Sequence, residues 1–223
     1  MFLEEGKRNQ KREIIVDAAI KVFAEKGYHS SRTIDIAKEA GVAYGSLYQY
    51  FKSKDDILLH IFQKSWEDFV GRMERIDKMM ESSEDKLLAV LDMIFRGYHN
   101  KPDLMKVLVM DIPRLNQFYN VENQKLYHSF FINLAKFFLE GQIRGAFRAD
   151  ISPMIAAFVI YGAVDMTIRQ YVYNPEFRYE NFPLEEARSQ IMKLLITQIK
   201  QPSNEQNNNK QESLNGPEFL QEG

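Results

Sequence analysis

The segment from Thr33 to Lys54 constrains the fold more than any other part of the chain. Apolar residues at helical spacing predict a short helix around Ile36, and Leu47 and Phe51 stand four residues apart on one side of a second helix. Gly41 lies between them, where a helix often ends in the left-handed conformation that glycine tolerates. Two short helices joined by a tight turn form a helix-turn-helix, whose second helix enters the DNA major groove.

The first short helix is predicted to bury one apolar side against the core. That side would consist of Ile34, Ile36, Ala37 and Ala40. The hydroxyls available to cap its start are those of Ser30, Ser31 and Thr33. After the second helix, residues 53–56 have a capping-box pattern that predicts a new helix beginning at Lys54.

The outward side of the second helix has many hydrogen-bonding groups and almost no charge. Tyr44, Ser46 and Gln49 are predicted to bond base edges, and Gly45 leaves room for close approach to DNA. Phosphates are the predicted partners of Tyr48, Tyr50, Lys52 and Lys54. Two short helices around a glycine also occur in many other all-helical proteins, so spacing alone leaves DNA binding and simple helix packing open.

Residues 11–62 resemble the N-terminal domain of TetR-family transcriptional regulators. The similar segments are residues 14–28, 34–42 and 45–58, which occur in the order and at the spacing of the family. The family often has two adjacent Thr or Ser where this chain has Ser31 and Arg32, and the resemblance implies a phosphate contact for Thr33. Tyr44 occupies a position that varies in the family, which fits base reading.

The residues and the resemblance together predict double-stranded operator DNA as the partner. The predicted DNA-binding residues are Arg32, Thr33, Ala43, Tyr44, Gly45, Ser46, Tyr48, Gln49, Tyr50, Lys52 and Lys54.

The pattern of the remaining chain predicts one helix after another, with no alternating strand pattern of useful length. The predicted fold is all-α: a three-helix helix-turn-helix domain over residues 8–62, a helical ligand-binding and dimerisation domain over residues 63–200, and a disordered tail over residues 201–223.

Helix boundaries can be predicted from caps and breakers along the chain. The predicted helices cover residues 10–26, 54–80 and 82–98, one beginning at Pro102, and residues 121–145, 153–173 and 184–200.

The net charge is -2, and the tail of residues 201–223 holds one Lys and four Glu, so residues 1–200 carry -2 - (-3) = +1. Lys7, Arg8, Lys11 and Arg12 place positive charge at the start of the first predicted helix. They indicate either phosphate contacts or a solvated helix start.

The chain lacks several features that would point to other classes of protein. It has no cysteine, so a disulfide framework and thiolate metal sites are excluded. There is no signal-peptide pattern, and the longest apolar run, residues 154–164, is too short to span a bilayer, which predicts a soluble cytoplasmic protein without membrane contact. The histidines lie in separate segments and no catalytic motif is present, so we expect no enzyme activity, metal or cofactor.

The two last predicted helices are candidates for a dimer interface. Helix-turn-helix proteins usually bind two half-sites as dimers, and two helices from each protomer would form a four-helix bundle. The predicted interface residues are Phe158, Gly162, Ile191, Leu194, Leu195 and Gln198. A charge at Leu195 is expected to yield monomers or insoluble protein. The alternative is that these side chains belong to the core of one protomer.

The middle helices are rich in Met and Phe, which suit an adaptable apolar pocket as well as a plain core. The predicted ligand-binding residues are Phe95, Tyr98, Met105, Met110, Phe130, Phe137, Met166 and Arg169. The segments G-x-x-x-G-x-F-R at residues 141–148 and G-x-x-D at residues 162–165 weakly resemble acyl-CoA-responsive TetR regulators of fatty-acid degradation. The resemblance implies a repressor released by long-chain acyl-CoA or fatty acid.

Two other functions stay open. The first is a TetR-type regulator of multidrug efflux that responds to aromatic or cationic compounds, for which Asp111 and Asp165 are candidate partners. The other is a helical protein-interaction module with a non-functional DNA-binding head. The absence of acids between Val42 and Lys54 argues against the module. For an acyl-CoA, the bases that could meet phosphates are Lys106, Arg144, Arg148 and Arg169.

Overall fold

The computed structural model describes residues 2–111, 121–174 and 183–201. Its helices are α1 (Phe2–Lys26), α2 (Thr33–Glu39), α3 (Tyr44–Leu47), α4 (Lys54–Met79), α5 (Ser83–Asn100), α6 (Pro102–Met110), α7 (Val121–Ile143), α8 (Pro153–Tyr173) and α9 (Leu184–Ile199). These residues contain no strand, only an isolated β-bridge between Phe147 and Lys200. The all-α prediction is confirmed, and the tail from residue 202 onward lies outside the described residues.

Most helix starts follow the caps that the sequence contains. The Ser53 hydroxyl accepts the Asp56 N–H at 3.1 Å, and the Asp56 carboxylate accepts the Lys52 N–H at 2.9 Å. This reciprocal capping fixes the start of α4 where it was predicted. Proline is the first residue of both α6 and α8, as its fixed φ favours.

The prediction for the start of α1 was wrong. Helix α1 begins at Phe2, so the basic residues Lys7, Arg8, Lys11 and Arg12 lie within it. Apolar periodicity begins only at Ile14, which is why the pattern alone placed the start too late. The residues before it are mostly Lys, Arg, Glu and Gln with no proline, and such residues continue a helix without burying anything.

Two predictions for α2 were also wrong. None of the three hydroxyls caps it: the capping residue is Arg32, whose N–H is accepted by Asp35 at 3.2 Å. The Ser31 hydroxyl instead donates to the Gly27 carbonyl at 2.7 Å, inside the turn that follows α1. Ile34 is 53% exposed, and the buried side of α2 consists of Ile36 and Ala37.

Buried apolar side chains form two clusters, which we call the head and the body. The head cluster comprises residues of α1 to α3, the first part of α4 and Val107 of α6. The body cluster comprises Met73 of α4 and buried residues of α5 to α9. Helix α4 therefore runs from one cluster into the other. The domain limits at residues 8–62 and 63–200 stay a prediction.

Helices α6 and α7 attach the body to the head. Val107 is fully buried in the head cluster, and the Lys106 ammonium donates to the Ala24 carbonyl near the end of α1 at 2.6 Å. The Gln63 side chain on α4 donates to Asn123 on α7 at 3.0 Å. The orientation of the head therefore depends on the position of α6 and α7.

A buried lysine fixes the far end of α4 to the body. The Lys86 side chain on α5 is 5% exposed and pairs with Asp77 of α4 at 2.5 Å and Glu140 of α7 at 2.8 Å. Lys136 adds a second contact to Asp77 at 2.6 Å. Hydrogen bonds from Lys136 and Lys86 hold the pKa of Asp77 below its usual value. This ion network joins three helices where the chain leaves α4.

Candidate nucleic-acid interface

Helices α2 and α3 form a helix-turn-helix. Gly41 has a φ of +64°, and the Val42 N–H bonds to the Ala37 carbonyl at 3.0 Å, which turns the chain sharply after α2. Leu47 and Phe51 are 0% and 1% exposed, so they fix α3 and the turn that follows it to the head core. The opposite side of α3 is left at the surface, as the sequence predicted.

Three hydroxyl groups meet on this surface. The hydroxyl oxygens of Tyr44 and Tyr48 are 2.8 Å apart, and Thr33 Oγ1 at the start of α2 lies 3.2 Å from Tyr48 and 3.4 Å from Tyr44. The two tyrosine rings meet edge to face at 5.4 Å and are each 45% exposed. Hydrogen bonding by Thr33 and then by Tyr48 lowers the pKa of Tyr44. We call Thr33, Tyr44 and Tyr48 the hydroxyl cluster.

Lys54 does not have the exposed ammonium that the sequence suggested. Its Nζ donates to the carbonyls of Tyr28 at 2.7 Å and Ser31 at 3.0 Å, and it lies 4.2 Å from the centre of the Tyr28 ring. The turn between α1 and α2 leaves these carbonyls without helical partners, and the start of α4 brings a cation to them. The structure thus gives Lys54 an internal role that connects three elements of the head.

An open cleft of about 680 Å³ lies between the N-terminal part of α1 and the end of α3. The residues that line it are Lys7, Arg8, Gln10, Lys11, Ile14, Gln49 and Tyr50, none of which is acidic. Arg12 turns away from the cleft, with its guanidinium 5.1 Å from the centre of the Phe51 ring and 3.4 Å from His60 Nδ1. Sequence reasoning did not predict this cleft, because it depends on α1 extending past the head core.

The remaining predicted DNA-binding residues lie on the same part of the head. Arg32, Ala43, Gly45, Gln49 and Lys52 are exposed, and Ser46 and Tyr50 are half-buried. A Cβ added at Gly45 would meet no atom within 4 Å, so the protein itself imposes no need for glycine there. The space above Gly45 is available for a ligand to approach the backbone.

The predicted ligand-binding residues differ in how far they are buried. Phe95, Tyr98, Phe130 and Phe137 are buried in the body cluster, and Met105 and Met110 are packed against it. Arg169 is half-buried and donates to Asp165 at 2.6 Å and to the Val109 carbonyl at 2.7 Å. Met166 is 58% exposed and lies outside this packed group, so its part in ligand binding stays a prediction. Apolar residues occur on every side of α8, so its sequence could not show which side faces inward.

The other bases considered for acyl-CoA phosphates also have partners within the protein. Lys106 donates to Ala24 O at 2.6 Å, Arg144 donates to Glu81 O at 2.5 Å, and Arg148 pairs with Asp150 at 2.5 Å. The pKa of Arg148 is raised by its hydrogen bond with Asp150. Each of these cations already has a partner within the protein, so none of them is an unpaired charge that would indicate a ligand site.

Part of the predicted dimer interface is exposed in the protomer. Helix α8 presents an apolar stripe of Ile155, Phe158, Val159, Gly162 and Met166 at helical spacing. On α9, Leu194 is 62% exposed and Gln198 is exposed, whereas Ile191 is half-buried. The prediction for Leu195 was wrong: it is 8% exposed and packs in the body cluster.

An aromatic group where the head meets the body was missed from the sequence. Trp66 of α4 stacks on Phe130 of α7 at 5.6 Å with an angle of 19° between the rings, and Tyr161 of α8 lies 5.2 Å from Phe130. The Trp66 indole N–H is buried and has no hydrogen-bond partner among the described residues. Aromatic residues at three- and four-residue spacing on α4 and α7 were the signal that could have located this group.

Other kinds of site find little support in the described ranges. No group of three or more His, Asp or Glu side chains there could hold a metal ion. None of the helices within these ranges combines the length and hydrophobicity needed to cross a bilayer.

The fold and the exposed second helix define a helix-turn-helix DNA-binding protein. Residues 15–61 match the family model described as bacterial regulatory proteins, tetR family, and residues 62–198 match the C-terminal region of YsiA-like protein. The chain belongs to the TetR family of bacterial transcriptional regulators.

Several relatives are similar over most of their length. The fatty acid metabolism regulator protein of Bacillus subtilis is 30% identical over 185 residues, which cover 83% of this chain and 93% of that protein. The crystal structure of the regulator FadR from Bacillus subtilis in complex with stearoyl-CoA has 30% identity and a TM-score of 0.72, covering 84% of this chain and 98% of that one. FadR from Bacillus halodurans has 27% identity and a TM-score of 0.75, covering 83% and 94%.

Proposed function

We propose that the protein is a homodimeric repressor that binds operator DNA in the bacterial cytoplasm and is released by a long-chain acyl-CoA or fatty acid. The observation that carries the DNA-binding part is the exposed side of α3, held at the surface by the buried Leu47 and Phe51. The effector is inferred from the similarity to a FadR protein whose structure contains stearoyl-CoA.

The hydroxyl cluster supports a division of the DNA contacts. Each hydroxyl is both a donor and an acceptor, and three of them within 3.4 Å of one another suit a single phosphate group. Tyr44 then contacts phosphate together with Thr33 and Tyr48, although the sequence suggested base reading. Ser46 and Gln49 are left to bond base edges, with Ala43 and Gly45 allowing close approach. Arg32, Tyr50 and Lys52 would meet neighbouring phosphates.

Tyr44→Phe and Tyr48→Phe are each expected to weaken operator binding by the dimer about 100-fold without changing base preference. Each variant loses one hydrogen bond to a charged phosphate in each protomer, worth about 1.5 kcal/mol per contact, and phosphates carry no sequence information. Binding to a library of operator variants measures both quantities. Tyr173→Phe removes the hydroxyl of an exposed tyrosine at the end of α8 and should leave binding unchanged. A changed base preference in Tyr44→Phe would contradict the phosphate contact and support the hydrogen bond to a base edge that the sequence predicted for Tyr44.

The exposed stripe on α8 and Leu194 on α9 support the dimer. Large apolar side chains that remain exposed in a protomer and share one helix side mark an interaction surface. A two-fold axis through this surface would pair α8 and α9 with their copies in a four-helix bundle. The stripe includes Met166, which we therefore assign to the interface and not to the ligand pocket.

The contacts between head and body support a mechanism for release. An effector in the body would favour a different placement of α6 and α7, which hold the head through Val107, Lys106 and Asn123. The two recognition helices of a dimer would then no longer match the operator spacing. A coupling of about 1–3 kcal/mol between ligand and DNA is typical of such population shifts.

The aromatic group favours a second candidate effector class. Trp66 of α4 stacks on Phe130 of α7, which in turn contacts Tyr161 of α8, and the Trp66 indole N–H is buried without a hydrogen-bond partner among the described residues. Aromatic faces attract hydrophobic cations and aromatic compounds. Asp165 is the nearby acid on α8, although it is paired with Arg169 at 2.6 Å. The second candidate function is therefore an efflux regulator that responds to such compounds.

Titration of the protein bound to an operator, selected from random DNA, distinguishes these effectors. We expect oleoyl-CoA to release the DNA, with free oleate as the control for the CoA group and a hydrophobic cation as the competing class. Release by the cation alone would favour the efflux regulator. Release by none of the three would contradict the proposed effector, and failure to select any operator would contradict the DNA-binding function.

A further inference from the structure

We propose that the N-terminal part of α1 is a second DNA-contacting element, in which Lys7, Arg8 and Lys11 hold the sugar-phosphate backbone beside the recognition helix. This inference rests on the proposed operator binding and adds a contact outside the helix-turn-helix. The cleft between α1 and the end of α3 is the observation that carries it.

The cations project beyond the part of α1 that packs in the head. From Gly6 onward, where the burial of α1 is described, the first buried side chain is Ile15, and residues 6–11 are exposed. At 1.5 Å per residue, Lys7 lies about 12 Å along the helix axis from Ile15. Such an extension stabilises no core, so packing does not account for the basic residues on it.

Lys7, Arg8 and Lys11 also differ in their partners from Lys21, Lys26 and Lys54 of the head. Lys21 pairs with Glu39 at 2.5 Å, Lys26 pairs with Asp35 at 3.0 Å, and Lys54 is held by backbone carbonyls. No ion pair joins the three cleft cations to any other described side chain. Their charge is therefore available to an external anion.

The position of the cleft identifies the anion as nucleic-acid phosphate. Gln49 and Tyr50, which follow α3, line one side of the cleft, and the α1 cations line the other. Lys7 and Lys11 stand four residues apart and share a helix side with Arg8, so they present their charges over about 6 Å along the helix axis. The sugar-phosphate backbone beside the major groove that contains α3 would pass through the cleft, between these two sides. The hydroxyl cluster lies outside the cleft and would hold a different phosphate.

The two phosphate contacts differ in charge, and this difference gives a specific test. Hydroxyl groups release no counterions. Each Lys or Arg that neutralises a phosphate makes the slope of log K against log salt concentration more negative by about 0.9. The salt dependence of operator binding should therefore come from the α1 cations together with Arg32 and Lys52, and not from the hydroxyl cluster. Three α1 contacts in each protomer would contribute about -5 to the slope of log K against log salt concentration in a dimer.

The experiment measures operator binding of the full chain at several salt concentrations for Lys7→Ala/Arg8→Ala/Lys11→Ala. Alanine keeps the helix and removes only the charge, and circular dichroism confirms folding. The matched control is Arg72→Ala/Arg75→Ala/Lys78→Ala, which removes the same charge from exposed positions at the far end of α4. We expect a shallower slope for the α1 variant, an unchanged slope for the control and the same base preference in both.

Three outcomes would overturn the inference. A wild-type slope in the α1 variant would show that the cations do not meet phosphates, and an equal loss in the control would show a general charge effect. A changed base preference in the α1 variant would show contact with bases instead of the backbone. These results differ from failure of the proposed function, in which wild-type protein would select no operator at all.

Discussion

Phe158→Glu combined with Leu194→Glu is expected to convert the dimer to a monomer and to weaken operator binding by about 10²–10⁴-fold, the usual gain from two linked sites. Both side chains are exposed in the protomer, at 47% and 62%, so the new charges can reach solvent. Phe158→Glu also removes a ring contact with Phe131 at 4.9 Å, so circular dichroism is needed to confirm that the variant is folded. Across a two-fold axis, each new carboxylate would be buried in an apolar interface without a partner. Light scattering and binding to complete operators and half-sites measure the two effects.

Met79→Glu is the matched control, because Met79 is 82% exposed at the end of α4 and lies on neither interface helix. It should remain dimeric and bind normally. A double variant that stays dimeric would place the interface elsewhere. Leu195→Glu cannot serve as the test, because Leu195 is buried and a charge there would unfold the body.

Gly141→Ala is expected to destabilise the body by about 1–3 kcal/mol, the usual cost of overpacking a core. A Cβ at Gly141 would lie 2.1 Å from the Phe147 ring, which is 1% exposed and packs on Phe138 at 5.1 Å. The ring would have to move within a packed cluster. Thermal unfolding should show a midpoint about 2–10 °C lower than that of the wild-type protein.

Gly71→Ala is the matched control, because Gly71 also lies inside a helix and an added Cβ there would meet no atom within 4 Å. It should stabilise the protein by up to about 1 kcal/mol through helix propensity. A smaller side chain at Phe147 should reduce the additional cost of Gly141→Ala, which a double-mutant cycle measures. Equal effects of the two glycine substitutions would contradict the steric explanation.

The G-x-x-x-G-x-F-R segment thus has a physical basis in the fold. Gly141 lets α7 approach the Phe147 ring, and Gly145 adopts a φ of +72° in the turn between them. Phe147 then bridges to Lys200 after α9. The segment brings the end of α9 onto α7, which is a structural role that requires no ligand.

Local signals in the sequence determined the helix-turn-helix and most helix boundaries. Gly41 could end α2 because a left-handed residue is needed there, and Ser53 could start α4 because its hydroxyl reaches the Asp56 N–H. Leu47 and Phe51 identified the buried side of the recognition helix by their spacing. Such signals operate within a few residues, so they can be read without knowledge of the fold.

Only the tertiary structure decided which partner each side chain meets. Leu194 and Leu195 have the same chemistry, and their packing against the body leaves the first exposed and buries the second. Lys54 is drawn to carbonyls of a turn that precedes it by more than twenty residues, and the cations of α1 reach the end of α3. These contacts join residues far apart in the chain, and no local periodicity or propensity encodes such pairings.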